Sequence, residues 1–543
     1  MTFLDALNPA QRRAVEFFEP RPLVVVAGPG TGKTRVLSHK IAYLIKEKGV
    51  APKEILAITF TNFAANEMRD RIESLVQESP LCTTFHAWAY TLIREVLGEE
   101  APFIIDELDA LSLFKEAIKL SGLKSAGSAR QLFKEIGLMR QSHPPKRPED
   151  WGKKSLFFFY QALLSKHRVV DFDELMLLAL SLLEDESLLK TIRKRWPYVL
   201  VDEFQDVNGV QVALVEQLSP KYLTLIGDPD QSIYAFRGSD PRALERFVST
   251  HPDAEVITLE TAYRCHGEVL GCAASLLSDK SASKKALKAE KGNGPKVEIR
   301  GFPGPREEAR WIARTIESLT GALSFEAINF SGDVPTEDGA FSLGDVAILT
   351  RTRSSVNAIK EALSRAGIPF LETYGHTLAQ DRFLRSFIRL ISISRGENPA
   401  FHKRRLEEEA HMGPNEIDEC LKAISKGELK EVLRKIGGDP EDALYRAFLK
   451  QVTTTNITGA MPLELGSDVD LLGVRLDAVH LMTIHGAKGL EFPVVFIPRC
   501  ESGRIPIEGG DEEEERRLFY VAITRAVTRL YITYSSASGG KSP

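Results

Sequence analysis

Short apolar runs alternate with longer segments of helical periodicity along most of the chain. The runs are rich in Val, Ile and Leu and end at Gly, Pro, Asp or another polar residue. Fully apolar runs of this length are typical of parallel strands that are buried on both faces. They lie at residues 23–27, 55–59, 199–201, 223–226, 256–259, 346–350, 479–482, 494–498 and 530–533. The pattern predicts an α/β fold built on parallel sheets that are flanked by helices.

The predicted strands form two groups, one before and one after about residue 255, and each group is interrupted by a long helical segment. The segment at residues 391–467 is also rich in Lys and Glu. We therefore expect two α/β cores, each carrying a mainly helical insertion. The predicted parts are a first core (1–90 and 191–255), a first insertion (91–190), a second core (256–390 and 468–543) and a second insertion (391–467).

Composition agrees with a multidomain globular protein. The chain has 543 residues, of which 43% are hydrophobic and 27% are charged, and these are ordinary globular values. The net charge of −5 argues against a uniformly basic nucleic-acid coat but is compatible with a motor that has a local positive channel. Residues 279–294 are rich in Lys and predict an exposed loop, and residues 535–543 predict a disordered tail.

Cysteine usage and hydropathy favour a reduced, cytoplasmic enzyme. The five cysteines contain no C-x-x-C pair, so neither a disulfide framework nor a zinc ribbon is supported. Cys265 and Cys272, with His266 between them, form only a weak candidate for a metal site. The longest apolar run, at residues 175–183, is about half the ~18 residues of a membrane helix. The N-terminus does not resemble a secretory signal.

A glycine-rich loop between a predicted strand and a predicted helix indicates a nucleotide site. Its residues are Ala27, Gly28, Pro29, Gly30, Thr31, Gly32, Lys33, Thr34 and, at the helix start, Arg35. Glycines let consecutive backbone N–H groups surround phosphate oxygens, and the helix N-terminus adds positive potential. Lys33 is expected to reach the β- and γ-phosphates, and the Thr34 hydroxyl is expected to bind Mg²⁺.

An acidic segment at the end of another buried strand supplies the second half of such a site. Residues 198–201 lead directly into Asp202 and Glu203. A carboxylate at this place can hold Mg²⁺, and the adjacent one can polarise a water for attack on the γ-phosphorus. The loop and the acids together predict an NTPase but do not say what hydrolysis drives.

Further segments are spread in order over nearly the whole chain, and together they resemble the UvrD/Rep/PcrA family of superfamily 1A DNA helicases. They are Leu7-Asn8-Pro9-Ala10-Gln11, Thr59-Phe60-Thr61-Asn62, Thr83-Thr84-Phe85-His86, residues 227–238 (GDPDQSIYAFRG), Tyr263-Arg264, residues 481–492 (LMTIHGAKGLEF) and residues 514–526 (EERRLFYVAITRA). The resemblance implies two RecA-like cores with ATP in the cleft between them.

For the nucleotide, the resemblance implies a specific role for each matching residue. Gln11 would bond the adenine, Tyr263 would stack on it, and Glu491 would accept from the ribose. Asp202 would hold Mg²⁺, Glu203 would be the catalytic base and Gln231 would sense the γ-phosphate. The two arginine fingers would be Arg264 and Arg525, which would make hydrolysis depend on the approach of the cores.

For the nucleic acid, the resemblance implies a single-stranded DNA track across both cores. Aromatic faces accept any base, which suits a motor that ignores sequence. The expected track residues are Phe60, Asn62, Phe85, His86, Tyr234, Phe236, Arg237 and His485. A core role remains an alternative for Phe85. The implied partners are single-stranded DNA and single-strand/duplex junctions. The sequence does not identify a protein that loads the enzyme onto DNA.

The sequence also departs from the family pattern. Phe63 replaces the usual Lys, Phe236 replaces the usual Trp, and the second insertion is much shorter than in the full-size bacterial enzymes. The first hypothesis is a 3′→5′ helicase and translocase that acts in DNA repair, replication or recombination. The second is a translocase that strips proteins from DNA with little unwinding. The third, a nucleotide-switched scaffold without turnover, is disfavoured by the complete set of expected catalytic residues.

Overall fold

The computed structural model describes residues 3–122, 128–142, 154–218, 220–277, 287–321, 341–373, 381–441, 445–446, 449 and 477–535. The predicted tail lies outside these residues except at Ser535, and so does much of the predicted exposed loop at 279–294. Within the described part of the chain, no helix is long and apolar enough to cross a bilayer.

The strands of the described residues are short and nearly all parallel to their partners. They are β1 (Leu23–Ala27), β2 (Ile55–Thr59), β3 (Leu81–Thr84), β4 (Phe103–Ile104), β5 (Val169–Val170), β6 (Tyr198–Val201), β7 (Tyr222–Gly227), β8 (Glu255–Leu259), β9 (Thr261–Ala262), β10 (Lys288–Ala289), β11 (Glu298–Phe302), β12 (Val346–Thr350), β13 (Phe370–Thr373), β14 (Val479–Thr483), β15 (Phe492–Ile497) and β16 (Ala526–Ser535).

Helices fill most of the intervening segments. They are α1 (Pro9–Glu16), α2 (Lys33–Lys46), α3 (Asn62–Glu73), α4 (Phe85–Leu97), α5 (Glu107–Ser121), α6 (Ala129–Arg140), α7 (Lys154–Lys166), α8 (Phe172–Leu182), α9 (Glu186–Arg195), α10 (Gly209–Leu218), α11 (Ala243–Thr250), α12 (Gly267–Leu276), α13 (Pro305–Thr320), α14 (Asn357–Arg365), α15 (Arg382–Ser394), α16 (Pro399–Glu409), α17 (Pro414–Ser425), α18 (Leu429–Lys435) and α19 (Glu512–Ile523).

The first sheet has six parallel strands in the order β3-β2-β6-β7-β1-β8. Hydrophobic clusters cover both of its faces: one includes side chains of α4, α8 and α10, and the other those of α1, α2 and α3. Burial on both faces explains why β1, β2, β6 and β7 are almost wholly apolar. β8 pairs with β1, so the first sheet extends beyond the predicted boundary at residue 255.

The second sheet also has six parallel strands, in the order β11-β16-β15-β12-β14-β13. Helices α13 and α14 pack on one face, and α12 and α19 pack on the other. The prediction of an α/β fold with two parallel-sheet cores flanked by helices is therefore confirmed. The carboxyl ends of the strands carry the loops that build the functional site, as is usual for open α/β sheets.

Two helical units lie outside the sheets. Helices α5, α6 and α7 share one hydrophobic cluster, to which Phe401 of α16 also belongs. Helices α15 to α18 share another. Residue 391, where the predicted second insertion begins, lies within α15.

Candidate active site

The phosphate loop connects β1 to α2, as the sequence predicted. Gly30 and Gly32 have φ values of +67° and +87°, which residues with a Cβ rarely adopt. Thr31 is buried, and its hydroxyl donates to the Gly28 carbonyl over 2.9 Å. Lys33 and Thr34 occupy the first turn of α2. Ala27 and Pro29 are buried beside them, whereas Arg35 is exposed.

A capping box at the start of α1 places the predicted adenine ligands. Asn8 caps the helix: its side chain accepts from the Gln11 N–H over 2.8 Å, and its own N–H donates to the Gln11 side chain over 3.1 Å. The Gln11 amide then donates to the Thr31 carbonyl over 2.8 Å. Asn8 also donates to the Tyr263 hydroxyl over 2.8 Å. Asn8 therefore joins Gln11 to Tyr263, a link that sequence reasoning missed.

The acidic residues follow β6, opposite the phosphate loop. Glu203 has a left-handed backbone with φ +51°, and its carboxylate lies 4.0 Å from the Lys33 ammonium. Burial opposes ionisation of Glu203, but Lys33 and Lys488 outweigh it and lower the pKa of Glu203 to about 2. Burial, together with the charge of Glu203, raises the pKa of Asp202 to about 7. The site thus holds the ionised carboxylate of Glu203 beside the buried carboxyl of Asp202.

The donor set fits a magnesium ion that is shared with a nucleotide. Asp202 is buried, and its own charge is destabilised by burial and by Glu203, so a cation beside it would be favoured. Mg²⁺ is usually held by one or two protein oxygens together with phosphates and waters. Thr34 and Asp202 supply such oxygens. No group of three or more His, Cys, Asp or Glu able to hold a metal occurs among the described residues; Cys265 instead donates to the Thr524 carbonyl.

Side chains of the second core contact residues of the first core that are predicted to be catalytic. Arg525 is buried, and its guanidinium donates to the side chain of Gln231 over 3.3 Å. Gln231 in turn donates to Asp228 over 2.6 Å. Burial, with the like charge of Arg264, lowers the pKa of Arg525 to about 9. Arg264 pairs with Glu491 at 2.5 Å, so these two expected nucleotide ligands contact each other.

A second pair of contacts crosses between the cores near Glu203. The Lys488 ammonium donates to Asp206 over 2.5 Å and to the Gln231 carbonyl over 2.6 Å. Arg517 donates to the Ser232 carbonyl over 2.9 Å. The sequence contains Lys488 and Arg517 within the quoted segments, but their roles were not predicted because the contacts join residues far apart in the chain.

Four of the expected track residues form a ring cluster, which we define as Phe60, Tyr234, Phe236 and His485. Phe60 stacks on Tyr234 with centroids 5.2 Å apart and planes 16° apart. His485, from the second core, meets the edge of Phe236 at 5.3 Å. The guanidinium of Arg237 lies 5.7 Å from the centroids of both Tyr234 and Phe236. The ring cluster therefore combines aromatic faces from both cores, and the cation of Arg237 lies beside it.

The ring cluster remains uncharged apart from its flanking cations. Burial, with the positive charges of Arg351 and Arg237, lowers the pKa of His485 to about 4, so this ring is neutral near pH 7. Phe236 is 40% exposed, which leaves ring surface available to a base.

The structure does not bring the remaining expected track residues into the ring cluster. Phe85 is only 4% exposed and packs in the core of the first sheet, which matches the core alternative. His86 contacts Phe172 edge-on at 5.6 Å, and burial lowers the pKa of His86 to about 4. Asn62 lies in the first turn of α3, directly after the N-cap Thr61.

Comparison with known proteins agrees with this site. Residues 7–252 match the UvrD/REP helicase N-terminal domain, and residues 257–411 and 428–537 match the UvrD-like helicase C-terminal domain. The chain belongs to the UvrD/Rep helicase family. Among relatives, "ATP-dependent DNA helicase PcrA" of Bacillus subtilis (strain 168) is 31% identical, with 98% of this chain and 83% of the relative aligned. The protein of the same name from Staphylococcus aureus (strain MRSA252) is 29% identical, with 98% and 84% aligned.

Membership of the UvrD/Rep helicase family confirms the predicted family and the predicted fold class. It also identifies the chain as a helicase-family enzyme that uses a nucleotide. The roles of individual residues stay predictions, and the contacts described above show how each could be performed.

Proposed function

We propose that the protein is an ATP-dependent helicase that moves 3′→5′ along single-stranded DNA and acts at single-strand/duplex junctions. The observation that carries this proposal is the set of second-core side chains that end on catalytic residues of the first core. The relatives from B. subtilis and S. aureus are named ATP-dependent DNA helicases, which supports DNA as the track. The direction of movement rests on the family resemblance.

Nucleotide binding would change the surroundings of the catalytic base. Lys33 now faces Glu203 at 4.0 Å, and an incoming phosphate would compete for the same ammonium. Loss of that neighbour raises the basicity of Glu203, because Lys33 is the leading positive charge that lowers its pKa. The bound Mg²⁺, held by Thr34 and Asp202, would neutralise phosphate charge. Glu203 would then orient the attacking water.

Closure of the cores would complete the site. Arg525 and Arg264 come from the segments that follow the first sheet. Arg525 donates to Gln231 of the first core, and Arg264 donates to Glu491 and lies against Gly30 of the phosphate loop. An arginine that reaches the γ-phosphate only on closure makes turnover depend on domain approach, and such fingers contribute about 10³–10⁵ in rate in other NTPases. Repeated closing and opening would advance the ring cluster along a strand.

Strand separation tests the proposal directly. The protein is incubated with ATP and Mg²⁺ on two duplexes of equal sequence, one with a 3′ single-stranded tail and one with a 5′ tail. Opening of the 3′-tailed duplex alone is expected. Opening of the 5′-tailed duplex alone would reverse the proposed direction, and ATP turnover that no single-stranded DNA stimulates would reject a DNA motor.

A translocase that displaces proteins with little unwinding is the second candidate. It is favoured by the second insertion, whose helices α15 and α16 are held against α5 by buried ion pairs and are therefore not free to engage a duplex as they stand. Release of a protein bound to single-stranded DNA, measured beside strand separation, distinguishes the two. Displacement without duplex opening would favour this second function.

A further inference from the structure

Gln205 is a buried residue that contacts the catalytic base but has no role in the mechanism above. It lies in the short turn after β6, two residues beyond Glu203, and is 0% exposed. Its side-chain amide donates to Glu203 Oε2 and, over 3.2 Å, to Asp206 Oδ2. Its side-chain oxygen accepts from the Asp228 N–H over 2.8 Å. All of its side-chain polar atoms are thus used.

These partners fix the orientation of the Gln205 amide. Two carboxylates require N–H donors on one side, and a backbone N–H requires an acceptor on the other. The fit is close, because a Cβ at Gly227 would lie only 2.6 Å from Gln205 Oε1. Since Glu203 also has a left-handed backbone, the donor from Gln205 selects one position of a carboxylate whose backbone is strained.

Gln205 also links Glu203 to Asp206, which contacts the second core. Asp206, its second acceptor, pairs with Lys488 of the second core. The Lys488 ammonium lies 4.9 Å from the ring centroid of Tyr234 in the ring cluster. The backbone carbonyl of Gln205 accepts from the Ser232 hydroxyl over 2.9 Å. Ser232 lies two residues before Tyr234 in the chain. Movement of either element changes a partner of Gln205.

We propose that Gln205 is a positioning residue that holds the Glu203 carboxylate for attack and makes that position depend on the state of the DNA track. The proposal rests on the proposed function, since it assumes that Glu203 is the base and that the ring cluster binds single strands. A buried amide that only filled space would instead affect folding, with no separate effect on turnover.

The decisive variant is Gln205→Met, which keeps the length of the side chain and removes its donors. Nucleotide affinity, ATP KM, kcat without DNA, kcat with saturating single-stranded DNA and thermal unfolding are measured for each protein. The matched control is Gln211→Met, because Gln211 is also buried and, among the described residues, its side chain caps the start of α10 through Asn208, away from Glu203 in the chain.

We expect Gln205→Met to bind nucleotide within about threefold of the unaltered protein. Its kcat without DNA should fall about tenfold and its kcat with DNA about a hundredfold, which is within the range of a mispositioned base. The stimulation by DNA, taken as the ratio of the two, therefore falls. Gln211→Met should keep the full ratio. A ratio that stays unchanged in a folded Gln205→Met protein would overturn the proposal.

A second variant covers the case in which Gln205→Met does not fold. Ser232→Ala removes the hydroxyl that bonds the Gln205 carbonyl and should lower the stimulation ratio a few-fold at unchanged ATP KM; full stimulation would overturn the link to the track. If the unaltered protein turns over ATP but no DNA stimulates it, the helicase proposal fails. A fall in basal kcat at constant KM in Gln205→Met would then still support the positioning of Glu203.

Discussion

The surroundings of Glu203 are set by one residue that is distant in the chain and by one that is two positions away. Its place behind a buried strand, together with the family resemblance, predicted a catalytic base, and the structure adds Lys33 at 4.0 Å and the amide of Gln205. The first contact lowers the pKa of Glu203, and the second supplies the donor that we propose positions its carboxylate. The Lys33 contact arises because the loops after β1 and β6 meet at the same edge of one parallel sheet, whereas the Gln205 contact lies within the turn after β6.

Glu203→Gln is expected to keep ATP binding and nearly abolish hydrolysis. The replacement has the same shape and can still accept a hydrogen bond from Gln205, but it cannot take a proton from water, and such general-base catalysis contributes about 10²–10⁴ in rate. Equilibrium binding of a fluorescent ATP analogue and steady-state phosphate release measure the two properties. Turnover near the normal rate would assign the base elsewhere.

Phe236→Ala is expected to weaken single-stranded DNA binding by about 1–3 kcal/mol, the usual contribution of a base stacked on an aromatic ring. Phe158→Ala is the matched control, because Phe158 is similarly exposed but lies on α7, outside the ring cluster. Fluorescence anisotropy with a labelled oligonucleotide measures both. Equal affinities of the two variants for the oligonucleotide would show that Phe236 does not bind single-stranded DNA.

At the level of elements, the central strands of the two large sheets were predictable, whereas three of the four edge strands were not. β1, β2, β6, β7 and β12 have neighbours on both sides and apolar sequences. β3, β11 and β13 lie at sheet edges, where exposure permits the Leu81 side chain to be 40% exposed and the Ile299 side chain 62% exposed. β8, the fourth edge, was predicted as a strand, but only its pairing with β1 shows to which sheet it belongs.

The same division holds for the site. The phosphate loop and the acids after β6 were predicted because each is one continuous segment beside a strand. The bond from Asn8 to Tyr263 spans 255 positions and that from Lys488 to Asp206 spans 282, and no local pattern encodes such pairs. Phe85 shows the reverse case: its motif suggested a DNA contact, but packing places it in the core.

Asn8→Ala tests a helix cap that also supports the nucleotide site. Loss of an N-cap costs about 0.5–2 kcal/mol, and here it also removes the support shared by Gln11 and Tyr263. We expect lower thermal stability together with a raised ATP KM. Ser128→Ala removes the comparable cap of α6 and should lower stability without a change in KM. An ATP KM that is the same for Asn8→Ala and Ser128→Ala would contradict a role for Asn8 in nucleotide binding.

At the level of the whole molecule, a buried charge network joins the two helical insertions. Asp109 of α5 accepts from Arg389 over 2.7 Å, from Arg405 over 2.9 Å and from Arg385 over 3.2 Å. Glu409 contacts the same three arginines. Arg389 and Arg405 are each only 5% exposed, so these charges are shielded from water. Because the insertions interrupt different cores, we expect the network to limit how far the cores can move apart.

Asp109→Ala is therefore expected to be much more damaging than the loss of an exposed pair at the same interface. It removes one of the two carboxylates that the three arginines share and leaves Glu409 alone to balance them. Breaking a buried ion pair from one side costs about 3–5 kcal/mol. The control is Glu116→Ala, which removes an ion pair with Arg404 in which both side chains are about one-third exposed; such pairs contribute about 0–1 kcal/mol. Urea unfolding monitored by fluorescence compares the two. Similar losses in both variants would show that the Asp109 network is solvated and does not hold the insertions together.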